Sequence, residues 1–354
     1  MSELETRIRR AWQGRICGCQ LGKPVELLSM FDGHAALSDY LREVGAAPLR
    51  DYIGYRPHRR VNPDWCRERL TRSEADDDIN YSVLALILLE QSGLEMTTQD
   101  VARAWLKLLP AGQTFTAERF AYGVLLARGA ERFPEGAAPG FDLAACSDNP
   151  YSDWIGAQIR ADVYGWVLPG RPELAAELAR RDAALSHRGE GVQGAVFVAA
   201  LGAALAAQDP QAALATALGQ LPDDSEAAAA VRFGRERAGD PDGGAAIRER
   251  YAAMSPVHTL NNLAIVVWAL YSHLDDFGAA IGEAVAAGLD TDCNGATVGA
   301  LWGLQGGDIP SAWTAPWNGR VGLSLAGHDE VSLDSLVART VAVAERLGRV
   351  SATD

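Results

Sequence analysis

Apolar residues recur at three- and four-residue spacing along most of this chain, and strict alternation is almost absent. That period is the mark of helices with one buried face. It falls on Tyr81 to Glu90, Val101 to Leu109, Glu118 to Arg128, Pro172 to Ser186, Gly191 to Ala206, Asn262 to Tyr271, Ala279 to Ala287 and Ser335 to Leu347. Boundary signals agree: Pro172 opens a helix at a first-turn position, and Gly93 closes the one that begins after Asp78. The expected class is therefore all-α. With 354 residues, 48% of them hydrophobic, the chain can bury a large core. Nothing reads as an interdomain linker, so one compact multi-helix domain is expected over 1–347, with a flexible tail over 348–354. Segments 29–73 and 133–153, scattered with Pro, Gly and other turn formers, are expected to be irregular walls or lids. The stretch 222–244 reads as a polar surface helix and turn.

Charge and cysteine usage narrow the partners. The formal net charge is −14, and no run of Lys and Arg offers a surface for phosphates, so nucleic acid is not an expected partner. No apolar run approaches the ~20 residues of a membrane span. The start, MSELETRIRRAW, lacks the apolar segment of a signal peptide, and a cytoplasmic location is expected. Cys17, Cys19, Cys66, Cys146 and Cys293 are odd in number and lack a repeated Cys-x-x-Cys spacing, which argues against a disulfide framework and a structural zinc site.

Two acidic clusters carry the chemistry. The stretch EADDDINYS sets Asp76, Asp77 and Asp78 directly against an apolar helical run, and AAGLDTDCNGATVGALWGLQGG sets Asp290 and Asp292 before a helix with a small-residue face. Either cluster alone reads as a helix cap that complements the dipole. Together they are oxygen-rich ligand sets suited to Mg²⁺, Mn²⁺ or Ca²⁺, and two ions are plausible if the clusters meet. Near the N-terminus, GRICGCQLGKPVE repeats Gly14, Gly18 and Gly22 on one helical face, a pattern for close helix packing, and then presents Glu26 as either a surface charge or a cleft residue. Arg160, Asp162 and His187 stand among small residues further on, where His187 is either structural or catalytic. The elbow of serine hydrolases, the phosphate-binding loop and the dinucleotide fingerprint are all missing from the sequence.

Taken in order, these stretches resemble the ADP-ribosylglycohydrolase family, which includes the dinitrogenase reductase-activating glycohydrolase. The family's Gly-Asp-x-x-Gly followed by Glu looks like Gly18-Cys19-Gln20-Leu21-Gly22 and Glu26. Its Thr-Asp-Asp-Thr aligns with Asp76-Asp77-Asp78-Ile79, and its Gly-x-x-Met-Arg-x-x-Pro-x-Gly looks like Gly156 to Gly165 around Arg160. Its Thr-His before Gly-Ala looks like Ser186-His187 before Gly194-Ala195, and Asp-Thr-Asp-Thr matches Asp290-Thr291-Asp292-Cys293. The resemblance implies an all-α domain with two Mg²⁺ ions at the rim of a cleft, Mn²⁺ being a possible substitute, that hydrolyses a glycosidic bond to ADP-ribose on a protein side chain or a small molecule. It implies Asp76, Asp77, Asp78, Asp290 and Asp292 as metal ligands, Glu26, Asp77 and Asp292 as catalytic residues, and Arg160, His187 and Gly156 as substrate contacts. Asp76 and Cys293 depart from the family's threonines, Cys19 from its aspartate and Ile155 from its asparagine. Cysteine is a poor Mg²⁺ ligand, so Asn294 or water is expected to complete one metal site. The alternatives are a hydrolase of a smaller ribosyl or nucleoside-type compound, and a non-catalytic relative that binds ADP-ribose or serves structurally.

Overall fold

The computed structural model describes residues 1–129 and 131–350. In chain order the helices are α1 (Glu3–Gly22), α2 (Glu26–Glu43), α3 (Asp77–Ser92), α4 (Thr98–Leu108), α5 (Thr116–Arg128), α6 (Asp162–Trp166), α7 (Pro172–Ala183), α8 (Gly189–Leu205) and α9 (Pro210–Leu218). They continue with α10 (Glu226–Glu236), α11 (Gly243–Arg250), α12 (Thr259–Ser272), α13 (Phe277–Ala286), α14 (Thr291–Leu304) and α15 (Ser311–Thr314). A hairpin of β1 (Arg320–Leu325) and β2 (His328–Ser332) precedes the last helix, α16 (Leu333–Val350). The all-α expectation holds. The expected tail is in part helix, since Gly348 to Val350 complete α16; residues 351–354 lie outside the described residues.

The chain folds into two compact units. The first gathers 1–74, 224–322 and 331–337; the second gathers 75–223, 323–330 and the chain from 338 onward. Each is assembled from stretches far apart in sequence, so no linker marks the division, and the sequence reads as a single domain for that reason.

In the first unit every residue of α14 is buried, and α1, α12 and α13 pack around it. The close approach of α1 depends on its glycines. A Cβ on Gly14 would overlap the Gly299 carbonyl, one on Gly18 the Gly295 carbonyl, and one on Gly22 the backbone of Thr291 and Asp292. The two helices therefore run antiparallel with their backbones in contact, as the four-residue glycine spacing predicts. Gly18→Ala is expected to cost ~1 to 3 kcal/mol, because the obstacle is backbone and cannot swing aside. Chemical denaturation read by circular dichroism checks this, and an unchanged midpoint would contradict the packing.

Two expectations hold in part: 44–73 is irregular apart from two short 3₁₀ turns and 222–244 does carry a helix and turn, but each stretch is more ordered or more buried than expected. Residues 29–43 belong to α2, where Leu37, Tyr40 and Leu41 are buried and the helix kinks at Gly33 (φ 84°) instead of ending. Within 222–244, α10 buries Ala227, Ala228, Ala230, Val231 and Gly234 against α12. Alanines carry little hydropathy, so their regular spacing was masked by the charged residues between them.

In the second unit α8 is buried along nearly its whole length from Gly194 to Leu205, and α6, α7 and α9 pack on it. The run from Asp78 to Leu89 in α3 is buried in full, beside α4 and the 3₁₀ segment Ile155–Arg160. A helix apolar on all sides must be central. The hairpin is the exception to the absence of strands.

Candidate functional site

In the first unit the glycine contact sets the position of three carboxylates. Gly22 ends α1 against the start of α14, and the Thr291 hydroxyl donates to the Gly22 carbonyl oxygen at 2.9 Å. A short 3₁₀ turn, Lys23–Val25, then leads directly into Glu26, the first residue of α2. Carboxylate oxygens of Glu26, Asp290 and Asp292 consequently lie within 4.8 Å of one another, with both aspartates buried and Glu26 half-buried. Cys293 Sγ lies within the same limit of Asp292.

The loop that carries Asp290 is held from several sides. Gly288 (φ 81°) and Leu289 (φ 64°) both adopt left-handed backbone, an uncommon conformation for leucine. The Ser29 hydroxyl donates to the Leu289 carbonyl at 2.8 Å, and Arg248 donates to that of Ala287 at 2.8 Å. His34 Nε2 meets the Ala286 carbonyl at 3.2 Å. Asp290 occupies the N-cap position of α14, yet its carboxylate does not cap the helix. Simple capping thus does not account for this carboxylate.

In the second unit Asp76 does cap α3, accepting from the Asp78 backbone N–H at 3.0 Å. Asp76 and Asp78 are buried with carboxylate oxygens within 4.8 Å of each other, while Asp77 is half-buried.

The donor set of the first unit fits a hard divalent cation. Two oxygens that share one ion stand at most about twice the metal–oxygen distance apart, ~4.2 Å for Mg²⁺ and ~5 Å for Ca²⁺. Oxygens within 4.8 Å of one another meet the Ca²⁺ bound, and a small turn of a carboxylate would bring them within the Mg²⁺ bound; the set is mostly buried and includes no imidazole. Mg²⁺ or Mn²⁺ at about a hundred times its dissociation constant is expected to add ~2.7 kcal/mol to the unfolding free energy of chelator-stripped protein, read as a rise in melting temperature. Asp292→Asn should lose the response and keep its helical circular dichroism. A wild-type melting temperature that ignores both ions would contradict the fit.

A different constellation surrounds Arg160. Its side chain is only 1% exposed and lies between two buried carboxylates, donating through Nη1 to Glu118 at 2.9 Å and through Nε to Asp182 at 2.5 Å. Nη2 donates to the Ser186 hydroxyl at 2.9 Å, and that hydroxyl meets His187 Nδ1 at 2.8 Å. Tyr164 donates to the other Asp182 oxygen, and the rings of Tyr81 and Trp105 flank the guanidinium. Burial works against the charge on Arg160, but Asp182 and Glu118 outweigh it and hold the guanidinium protonated. Burial also pushes the Glu118 carboxyl up, against the pull of Arg160, and pushes His187 well below its ordinary value, with Arg160 adding to that effect. His187 is therefore a neutral imidazole. Gly156 belongs to the same cluster, because a Cβ there would overlap the Glu118 carboxylate.

Of the sequence-derived residues, Glu26, Asp290 and Asp292 come together in one unit. Asp76, Asp77 and Asp78 stand at one helix start in the other. Arg160 and His187 belong to a buried network, against which the half-buried Gly156 packs. Sequence reasoning missed Glu118, which reads as an ordinary first-turn acid, and Asp182, one of several charges in an amphipathic helix. It also missed Asn262, although paired asparagines in the apolar run TLNNLAIVVWAL were a signal. All five cysteines are buried and none forms a disulfide. No described helix is long and apolar enough to cross a membrane.

Central buried helices that begin in clustered carboxylates define a class: helical proteins equipped to hold a hard cation. The sequence model of the ADP-ribosylglycohydrolase family matches residues 1–346, and the chain belongs to that family. A solved structure described as an ADP-ribosylglycohydrolase-related protein complex superposes with a TM-score of 0.58 at 21% identity, covering 98% of this chain and 100% of that one. At that identity the likeness speaks to the fold. A search of the curated proteins found no match.

Proposed function

We propose that the protein is a divalent-cation-dependent hydrolase, with Mg²⁺ the favoured ion, that cleaves the glycosidic bond between ADP-ribose and an acceptor. The observation that supports this best is the meeting of Glu26 with Asp290 and Asp292 at the end of the glycine contact. Asp290 and Asp292, together with Asp76, Asp77 and Asp78 on the strength of their family motif, are the proposed metal ligands. When bound, the cation neutralises these carboxylates and stabilises negative charge on substrate oxygens. Hydrolysis at an anomeric carbon passes through an oxocarbenium-like state, in which the ribosyl carbon loses its acceptor as water adds. Glu26, half-buried and at the mouth of the cluster, takes the proton from that water on a carboxylate oxygen. The departing nitrogen or oxygen of the acceptor leaves with a proton from solvent, and the products are free ADP-ribose and the restored acceptor. The Arg160 network fixes the segment around Gly156.

Purified protein supplied with Mg²⁺ should release ADP-ribose from at least one of three substrates: an arginine-linked peptide, a serine-linked peptide or a small ADP-ribosyl compound. Release from none of these, with cleavage of simple ribosides instead, would move the assignment to a nucleoside-type substrate.

A further inference from the structure

We infer that Asn262 is a positioning residue for the Asp290 and Asp292 site beside Glu26, and that it turns the Asn294 side chain so that its amide oxygen serves as a further, uncharged oxygen donor to a cation held there. This rests on the cation-binding part of the proposed function. Both asparagines are fully buried, Asn262 in α12 and Asn294 in α14. The Asn262 carboxamide is completely engaged. Its Nδ2 donates to the carbonyls of Pro256 and His258, each at 2.8 Å, so the group cannot rotate without breaking both. Its Oδ1 then receives two donors, the Asp290 backbone N–H at 3.2 Å and Asn294 Nδ2 at 2.8 Å. One oxygen therefore supports the N-cap backbone of α14, which the Asp290 carboxylate does not cap, and also orients a second amide.

The consequence falls on Asn294. It lies four residues after Asp290, its own N–H donates to the Asp290 carbonyl at 3.1 Å, and so it stands on the same side of the helix. With Nδ2 committed to Asn262, Oδ1 is directed away from it. That oxygen is buried and receives no hydrogen bond from any described protein group. A buried acceptor left in that state costs ~1 to 3 kcal/mol, which a cation or a cation-oriented water recovers. A neutral oxygen also suits the charge balance, because Asp290 and Asp292 already match the two charges of the ion. Cys293, at the neighbouring position, offers sulfur, which a hard ion accepts poorly.

The test is calorimetric titration of Mg²⁺ and Mn²⁺ into the chelator-stripped full chain, with the melting temperature of the metal-free form measured alongside. Loss of an orienting partner typically weakens metal binding ~10- to 100-fold, and Asn262→Ala is expected to fall in that range. Asn294→Ala should weaken binding by a similar factor, whereas Asn294→Asp, which keeps an oxygen but loses the donation to Asn262, should weaken it less. This last pair decides the matter even where Asn262→Ala fails to fold, because a merely structural role would weaken both variants alike. Wild-type affinity in Asn294→Ala, or equal loss in Asn294→Ala and Asn294→Asp, would overturn the inference while leaving the proposed function intact. A wild-type protein that takes up neither ion would overturn both.

Discussion

Glu26→Gln is expected to lower turnover by ~10² to 10⁴ while the protein keeps its metal content and melting temperature. Glutamine preserves the shape and one carbonyl oxygen, so the helix start and the neighbouring aspartates are undisturbed. What it lacks is an acceptor basic enough to take a proton from water. Glu26→Asp should recover only part of the activity, because its carboxylate retreats by one methylene from the water it must reach at ~2.6 to 3.2 Å. Steady-state kinetics with metal analysis of each variant separates the possible roles. Full activity in Glu26→Gln would remove Glu26 from the proton transfer. Loss of metal together with activity would make it a ligand whose charge the cation needs.

The second large effect concerns stability. Arg160→Met is expected to destabilise the fold by ~3 to 5 kcal/mol, because it leaves Glu118 and Asp182 buried without their shared cation. Arg160→Lys should recover little, since an ammonium cannot reproduce the planar fork that reaches Glu118, Asp182 and Ser186 at once. Adding Glu118→Gln and Asp182→Asn to Arg160→Met should return part of the loss, because the uncompensated charges then disappear with their partner. Denaturant unfolding measures all three. Wild-type stability in Arg160→Met, coupled to a raised KM, would instead place Arg160 in contact with substrate, as its family motif implies.

The legibility of the sequence followed a physical division. Helices with Leu, Ile and Val at regular spacing, such as α3 and α12, were plain. So was the glycine face of α1, because residues without side chains four apart have few uses other than close packing. α10 was read as a helix, but its buried alanine face was obscured, since it contrasts weakly with the exposed one. The two-unit division was invisible because each unit is completed by chain from the far end of the sequence. Within the site, residue types announced the carboxylates, but whether they cap or coordinate was undecided at the level of sequence. Asp76 caps α3 and Asp290 does not cap α14, a difference that residue type alone does not carry. Arg160 was singled out, but its partners were not, since Glu118 and Asp182 become neighbours only through tertiary packing.

The central claim is that these carboxylates hold a divalent cation which the protein uses to cleave ADP-ribosyl bonds. Its most direct test is the release of ADP-ribose from arginine-linked, serine-linked and small ADP-ribosyl substrates, followed chromatographically as Mg²⁺ is titrated into chelator-stripped protein. Release should be absent without the ion, rise with saturation over the concentration range in which calorimetry records binding, and vanish in Asp292→Asn. Equal release with and without the ion, or no release from any of the three substrates by protein that demonstrably binds it, would contradict the account.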